Sequence, residues 1–508
     1  MPPYQIVSYS DDGLLSLLIN SSSSSIGIGA KDHFLLLKDY FGSSGLHAKT
    51  IVVEEKYISR DFFSDYSSYY SICFKDYSKF CKRLHFFDKH FDNTYFKKII
   101  TNKKENNSEF DKSYLGFIVI KPLPYTVIGT TLLKNYSHPV NSNHRVFFGT
   151  RDYVIHLFGY NLKLNSLAFQ EQDSVLSACA TTAIWVTLQK AAELDYHITI
   201  KTPYEITKDA GLMSLDGGRL FPNKKGLSIY QMCQTLTNSG LVVELRQNGS
   251  KEEVSNSYLK KLIYSYSPIG IPIILIIKVP IGDNYGYHAI AINGYKYSLP
   301  ESLPPSVEIS FKADEIEKIY AHDDQWGPFA RVEFNTDNNS IITNWTRFHF
   351  EQKPTYTIGV LIPVFPKIRL SYDDIEAVVV GIDEILTLVI NPLVNFDFKW
   401  DIRVDYSETY KSKIRDSDLS DELKEKLLFK SLPKYIWIAT CLTGDFALID
   451  FIFDATDIAN SMFMIDVICY HFDFKKILKE NLEINPDFVQ MFKHPNGELF
   501  YKEIIALL

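Results

Sequence analysis

The sequence predicts an α+β protein of more than one domain. The chain has 508 residues, more than one hydrophobic core holds in typical domains of roughly 100–200 residues. Apolar residues are 46% of the total and charged residues 22%, a balance that suits folded, packed domains. Helix-periodic stretches and short β-rich runs both recur along the chain. The divisions expected are a mixed α/β region over 1–155, a central domain over 156–350 that carries the chemistry, and a second mixed α/β region over 351–508.

In chain order, the serine run Ser21–Ser25 reads as a solvated loop. From Phe62 through Tyr66, Tyr69, Cys73, Tyr77, Phe80 and Cys81, apolar residues return every three or four positions. This spacing predicts a helix with Ser59 as its N-cap and both cysteines as packing residues. TNKKENNSEFDKS at 101–113 is polar enough for a mobile loop, and LGFIVIKPLP reads as a buried strand ended by proline. Past the central region, YTIGVLIPVF predicts a strand and SYDDIEAVVVGIDEILTLVI an amphipathic helix. KYIWIATCL and FALIDFIFD flank Thr443-Gly444-Asp445 as a hairpin. DIANSMFMIDVICYHF follows as a helix, with the Asp454–Asp457 cluster capping it.

Composition excludes several function classes. A net charge of −8 gives no basic field for a phosphate backbone, so nucleic acid is not an expected partner. The opening MPPYQIVSYSDDGLL lacks the pattern of a secretory signal, and the longest aliphatic run, Ile269 to Ile277, is too short for a bilayer. No integral membrane segment is expected, and the chain reads as cytoplasmic. The six cysteines show neither CxxC nor finger spacing, which fits free thiols rather than a disulfide framework.

One cysteine stands apart. In QEQDSVLSACATTAIW, Cys179 falls where a polar loop turns into a helix capped by Ser177, with apolar positions at Ala180, Ala183, Ile184, Leu188 and Ala191. Exposed N–H groups and the positive end of the helix dipole in a first turn stabilise a thiolate and can hold an oxyanion. A base is offered by His288, at the head of the strand YHAIAINGY, after the loop GDNYGY that would leave it partly exposed. An acceptor to orient that imidazole is offered by Asp323 or Asp324, where the strand IYAHDD ends.

This order of residues resembles the papain-like cysteine peptidases, and within them the C39-like branch. The matching features are Gln172 before Cys179, Gly226-Leu227-Ser228 opening the helix IYQMCQTLTNSG, and Gly270-Ile271-Pro272 opening IILII. They continue with His288 followed by Gly294-Tyr295, and Asp323 or Asp324. The similarity covers about 165–335. Ala180 stands where the family usually has glycine, and Gln170 is an alternative to Gln172. The resemblance implies a papain-like α+β domain with a helix-borne Cys and an antiparallel sheet, flanked by two mixed α/β regions. It also implies a peptidase reaction on a protein or peptide substrate: Cys179 as nucleophile, His288 as base and then acid, the aspartate orienting it, and Gln172 completing the oxyanion hole. Trp326 is placed to shield the His–Asp pair. Acyl transfer or deamidation on the same residues is the alternative reaction, and an inactive protein-binding module the alternative class. The flanking regions would select the substrate or bind a partner protein. No cofactor and no metal is expected, because His322 with Asp323 and Asp324, and His138 with His144, lack any recognised ligand spacing. Asp216-Gly217-Gly218-Arg219 reads as a turn between helices, and Cys233 as a core residue of its helix.

Overall fold

The computed structural model describes residues 3–19, 25–102, 107–135, 145–173, 175–176, 178–211, 219, 226–247, 253–297, 309–347, 353–390, 397–444, 446–457, 464–484 and 491–508. It is a mixed α+β structure with antiparallel sheets, 37% helix and 33% strand. The chain forms two compact units. The first comprises 1–254, 271–296 and 318–363, and the second 255–270, 297–317 and 364–508. The sequence boundaries at 155 and 350 both lie inside the first unit. Among the described residues, no helix is long and apolar enough to cross a membrane.

The first unit contains a five-stranded sheet in the order Tyr4–Ser8, Thr50–Tyr57, Cys81–Phe87, Tyr114–Ile120, Ile128–Leu133, all antiparallel. LGFIVI is its most enclosed strand, buried at every position from Tyr114 to Ile120. A second sheet closes on itself. Its strands run Ile273–Ile281, Asn284–Tyr297, Ile316–Asp323, Gly327–Phe334, Ser340–Ile342 and Thr355–Val364, and the last pairs back onto the first. Val242–Arg246 continues the sheet beyond Thr355–Val364, and Arg145–Val146 pairs with Asn284–Tyr297, which makes eight strands. Ile273, Ile274, Leu275, Ile290, Ile292, Ile319 and Val360 are each about 0–1% exposed, so both faces of these strands are covered. Burying each such side chain contributes roughly 1.5–3 kcal/mol.

In the second unit, strands Phe398–Tyr406, Tyr435–Thr443, Phe446–Asp454 and Met464–Cys469 form an antiparallel meander, joined by a short parallel strand Ser310–Phe311. Helix Tyr372–Ile390 buries Ile375, Val379, Ile382 and Leu386, the face that its spacing predicts. Gly444 takes φ +58° in the predicted hairpin, a conformation that costs glycine little.

Several expectations are corrected. The helix after Ser59 is capped as expected, but it spans only Arg60–Ser68. Tyr69 leaves helical geometry at φ −141°, and a single turn Tyr70–Ile72 follows. Cys81 opens a buried strand instead of closing a helix, because pairing with Thr50–Tyr57 overrides a 3.6-residue spacing that runs across the polar break KDYSK. Cys233 lies in its helix but is only half-buried. Within 101–113, Ser108–Lys112 is a short helix rather than loop, anchored by the buried Phe110. MIDVIC is a strand rather than a helix. Its β-branched Ile465, Val467 and Ile468 extend a sheet edge that the strand Phe446–Asp454 would otherwise expose. Accordingly, Asp454 closes a turn, accepting from the Thr456 N–H at 2.8 Å, and the next described element is that strand. Ser21–Ser24, Ser177, His138, His144 and Asp216–Gly218 lie outside the described residues.

Candidate active site

Cys179 is the first residue of helix Cys179–Leu194. The helix is buried at Ala180, Ala183, Ile184, Leu188 and Ala191, and also at Trp185, Val186 and Thr187, so the thiol sits on a rod fixed on nearly all sides. Ala178 is the N-cap and offers no side-chain acceptor. The first-turn N–H groups therefore have no side-chain cap among the described residues, and the Cys179 N–H is one of those a helix leaves unsatisfied.

The loop leading to Cys179 is pinned on either side of Gln172. Asp173 accepts the Tyr70 hydroxyl on both oxygens, at 2.9 and 2.7 Å, and the N–H groups of Val175 and Leu176 at 2.8 and 3.1 Å. Glu171, buried at 4% exposure, is paired with Lys31 and accepts the Ile128 N–H at 3.1 Å. Gln172 is half-buried between these two anchors. Gln170 is enclosed, and its Nε2 has no hydrogen-bond partner.

His288 lies within strand Asn284–Tyr297, opposite Ile277 of the neighbouring strand. It is 5% exposed, which corrects the partial exposure expected from GDNYGY. Those residues are mostly strand, with the hairpin turning at Gly282 and Asp283. His288 Nε2 is hydrogen-bonded to Asp323 Oδ1 at 2.8 Å, whereas Asp324 Oδ1 stands 3.6 Å away. The imidazole also interacts electrostatically with the Cys179 thiol. With Nε2 given to Asp323, Nδ1 is the nitrogen left for sulfur. Burial acts to lower the His288 pKa, but the charge and hydrogen bond of Asp323 and the interaction with Cys179 outweigh it and hold it well above 6.5. The ring is therefore held as imidazolium at neutral pH.

Asp323 is fixed by further donors: the Gln325 N–H on Oδ1 at 3.0 Å and the Trp345 indole Nε1 on Oδ2 at 3.1 Å. Trp345 also lies against His288, ring centroids 5.2 Å apart. Trp326, the tryptophan singled out from sequence, is one ring further away, edge-on to Trp345 at 6.0 Å. Trp345 was not among the expected site residues. Its only signal is an indole set among polar residues in ITNWTR, after the Asp–Asp turn.

The turn itself rests on helix Asp32–Phe41. His33 Nε2 donates to the Asp324 carbonyl at 2.7 Å. Gly327 takes φ +146°, and a Cβ there would stand 2.8 Å from Leu36, so glycine permits this close approach. Asp324 is 2% exposed, and neither carboxylate oxygen is hydrogen-bonded to another residue among the described ones. Burial pushes its pKa up from 3.8 to about 7, only partly opposed by His288. His322 faces elsewhere. Its Nε2 donates to the Leu167 carbonyl at 3.0 Å, its Nδ1 accepts from the Phe329 N–H at 3.1 Å, and burial lowers its pKa to about 4.

No protein-family model matches the chain, and no curated protein is significantly similar to it. What the fold and the site define is an α+β protein with antiparallel sheets in which an imidazole is hydrogen-bonded to a carboxylate and interacts electrostatically with a thiol at a helix start.

Proposed function

We propose that this chain is a cysteine hydrolase of the papain-like, C39-like kind, cleaving peptide bonds in a protein or peptide substrate. The observation that carries the reading is that His288 is hydrogen-bonded to the Asp323 carboxylate and interacts electrostatically with the Cys179 thiol. The Cys179 thiolate attacks the carbonyl carbon. The developing oxyanion is received by the Cys179 N–H at the helix start and by the Gln172 side-chain amide. Gln172 suits that role better than Gln170, whose amide nitrogen is sealed from solvent. His288 then passes its proton to the leaving amine and, as base, activates the water that resolves the thioester. Asp323 and Trp345 hold the ring in position. The helix-borne thiol against a closed antiparallel sheet supports the papain-like assignment, and six free cysteines suit a cytoplasmic setting.

The test is modification of the native protein by a thiol-reactive peptidyl probe across pH 5–9, mapped by mass spectrometry in wild type, Cys179→Ser and His288→Ala. It is paired with a peptide library scored for new N-termini. Cys179 should react first and slow on His288→Ala, and Cys179→Ala should abolish new N-termini while the fold is retained. Turnover by purified Cys179→Ala, or Cys179 reacting no faster than the other five cysteines, refutes the reading. Ammonia release without new N-termini would assign deamidation or acyl transfer instead.

A further inference from the structure

We propose that His288, Asp323 and Asp324 form a site for one divalent transition-metal cation of the Zn2+ type, and that its binding switches the thiol off. Three ligand atoms, one from each residue, lie within 4.8 Å of one another, all buried. His288 Nε2 stands 2.8 Å from Asp323 Oδ1 and 3.6 Å from Asp324 Oδ1. Zn–N and Zn–O bonds of about 2.0–2.2 Å place neighbouring ligands of a tetrahedron about 3.3–3.5 Å apart. The two observed separations from His288 bracket that value, and all three ligand atoms lie within 4.8 Å of one another.

Asp324 supplies the independent observation. It is 2% exposed to solvent, and neither oxygen is hydrogen-bonded to another described residue, while one of them stands within 4 Å of His288 Nε2. Buried carboxylates are ordinarily paired or hydrogen-bonded, and the Cys–His–Asp chemistry gives Asp324 no task. A dication satisfies it. With neutral imidazole, two carboxylates and one dication sum to zero charge, so the filled site is electrically neutral in a place where net charge is costly. Asp323 is already oriented by Gln325 and Trp345, outer support of the kind that metal-binding carboxylates need.

The exchange balances as one cation in and the Nε2 proton, together with whatever proton Asp324 holds at that pH, out to solvent. The ring's remaining proton then resides on Nδ1, the nitrogen left for Cys179. That nitrogen has no lone pair to take the thiol proton. The inhibitory half of the proposal rests on the hydrolase reading, whereas the binding half does not.

The experiment uses the full chain, stripped with EDTA, exchanged into metal-free buffer and dialysed against ZnCl2 with metal analysis. Alkylation of Cys179 by iodoacetamide is timed in parallel. Wild type and Cys179→Ser should each retain one equivalent of zinc, while Asp324→Asn and His288→Gln should bind more than about 100-fold more weakly. Zinc should slow wild-type Cys179 alkylation at least tenfold, reversibly with EDTA, and leave Asp324→Asn unaffected. No stoichiometric zinc in wild type, equal zinc in wild type and the two ligand variants, or loss of zinc in Cys179→Ser overturns the site. An unreactive Cys179 in the metal-free sample counts against the hydrolase reading, and the zinc stoichiometry still decides the metal site.

Discussion

Replacing Asp324 with Asn should make the protein's stability less sensitive to pH, in a direction and by an amount that the burial of this carboxyl sets. Its pKa rises from 3.8 to about 7 on folding, chiefly through desolvation. Between these values the native state holds a proton that the unfolded chain releases, so stability falls as pH climbs through the window and levels off above about 7. Each pH unit is worth about 1.4 kcal/mol, and the roughly three units between the two pKa values amount to about 4 kcal/mol. From pH 5 upward, about two of those units are sampled, or roughly 3 kcal/mol. Asn does not titrate, and any cost of burying its amide is the same at every pH. The assay is urea unfolding followed by tryptophan fluorescence on metal-free wild type and Asp324→Asn, at steps from pH 5 to 8. The stability of the Asp324→Asn variant relative to wild type should improve by roughly 3 kcal/mol across that range. A difference that stays flat with pH refutes the account and means that Asp324 is solvated or paired in solution.

Two further substitutions test how the site is supported. Trp345→Phe keeps an aromatic ring beside His288 but removes the donor to Asp323 Oδ2 at 3.1 Å; hydrogen bonds to charged groups contribute about 1.5–3 kcal/mol, so Cys179 alkylation should slow about tenfold or more, and an unchanged rate sinks the positioning role. Lys31→Met strands Glu171, 4% exposed, without its cation, and should cost about 3–5 kcal/mol in urea unfolding, most of it recovered in the double variant Lys31→Met with Glu171→Met; a loss below about 1 kcal/mol would show the pair to be solvated.

Local signals made some of this structure legible in advance. Ser59 and Ser228 cap the helices they were expected to cap, because a hydroxyl before an apolar-periodic run acts within three residues. The strands LGFIVI and YTIGVLIPV and the hairpin around Gly444 were equally readable. What failed depended on distant partners. Cys81 and MIDVIC carry spacings that permit a helix, and they become strands because neighbouring strands offer them edges. At the site, the residues with chemical character stood out by their order along the chain: Cys179, His288, Asp323 and Gln172. The hydrogen bond that singles out Asp323 from Asp324 is a matter of less than 1 Å, beyond the reach of any spacing argument. Trp345, His33, Tyr70 and Lys31 were invisible because each acts across the fold. His33 meets Asp324 over 291 positions and Lys31 meets Glu171 over 140.

That separation also has a consequence for timing. Asp323 follows Cys179 by 144 positions, the difference of the two residue numbers. On a ribosome adding roughly 5–20 residues per second, the thiol emerges about 7–30 s before its acid partner exists. The closing strand Thr355–Val364, which pairs with both Ile273–Ile281 and Ser340–Ile342, is made later still. A nascent chain therefore carries Cys179 as an ordinary cysteine. The helix that holds it can form early, yet no imidazole or carboxylate is in place to rouse it. On the hydrolase reading, reactivity is conferred late, when the sheet closes, and a chain truncated before that strand would keep the sulfur while losing the sheet that positions His288 and Asp323.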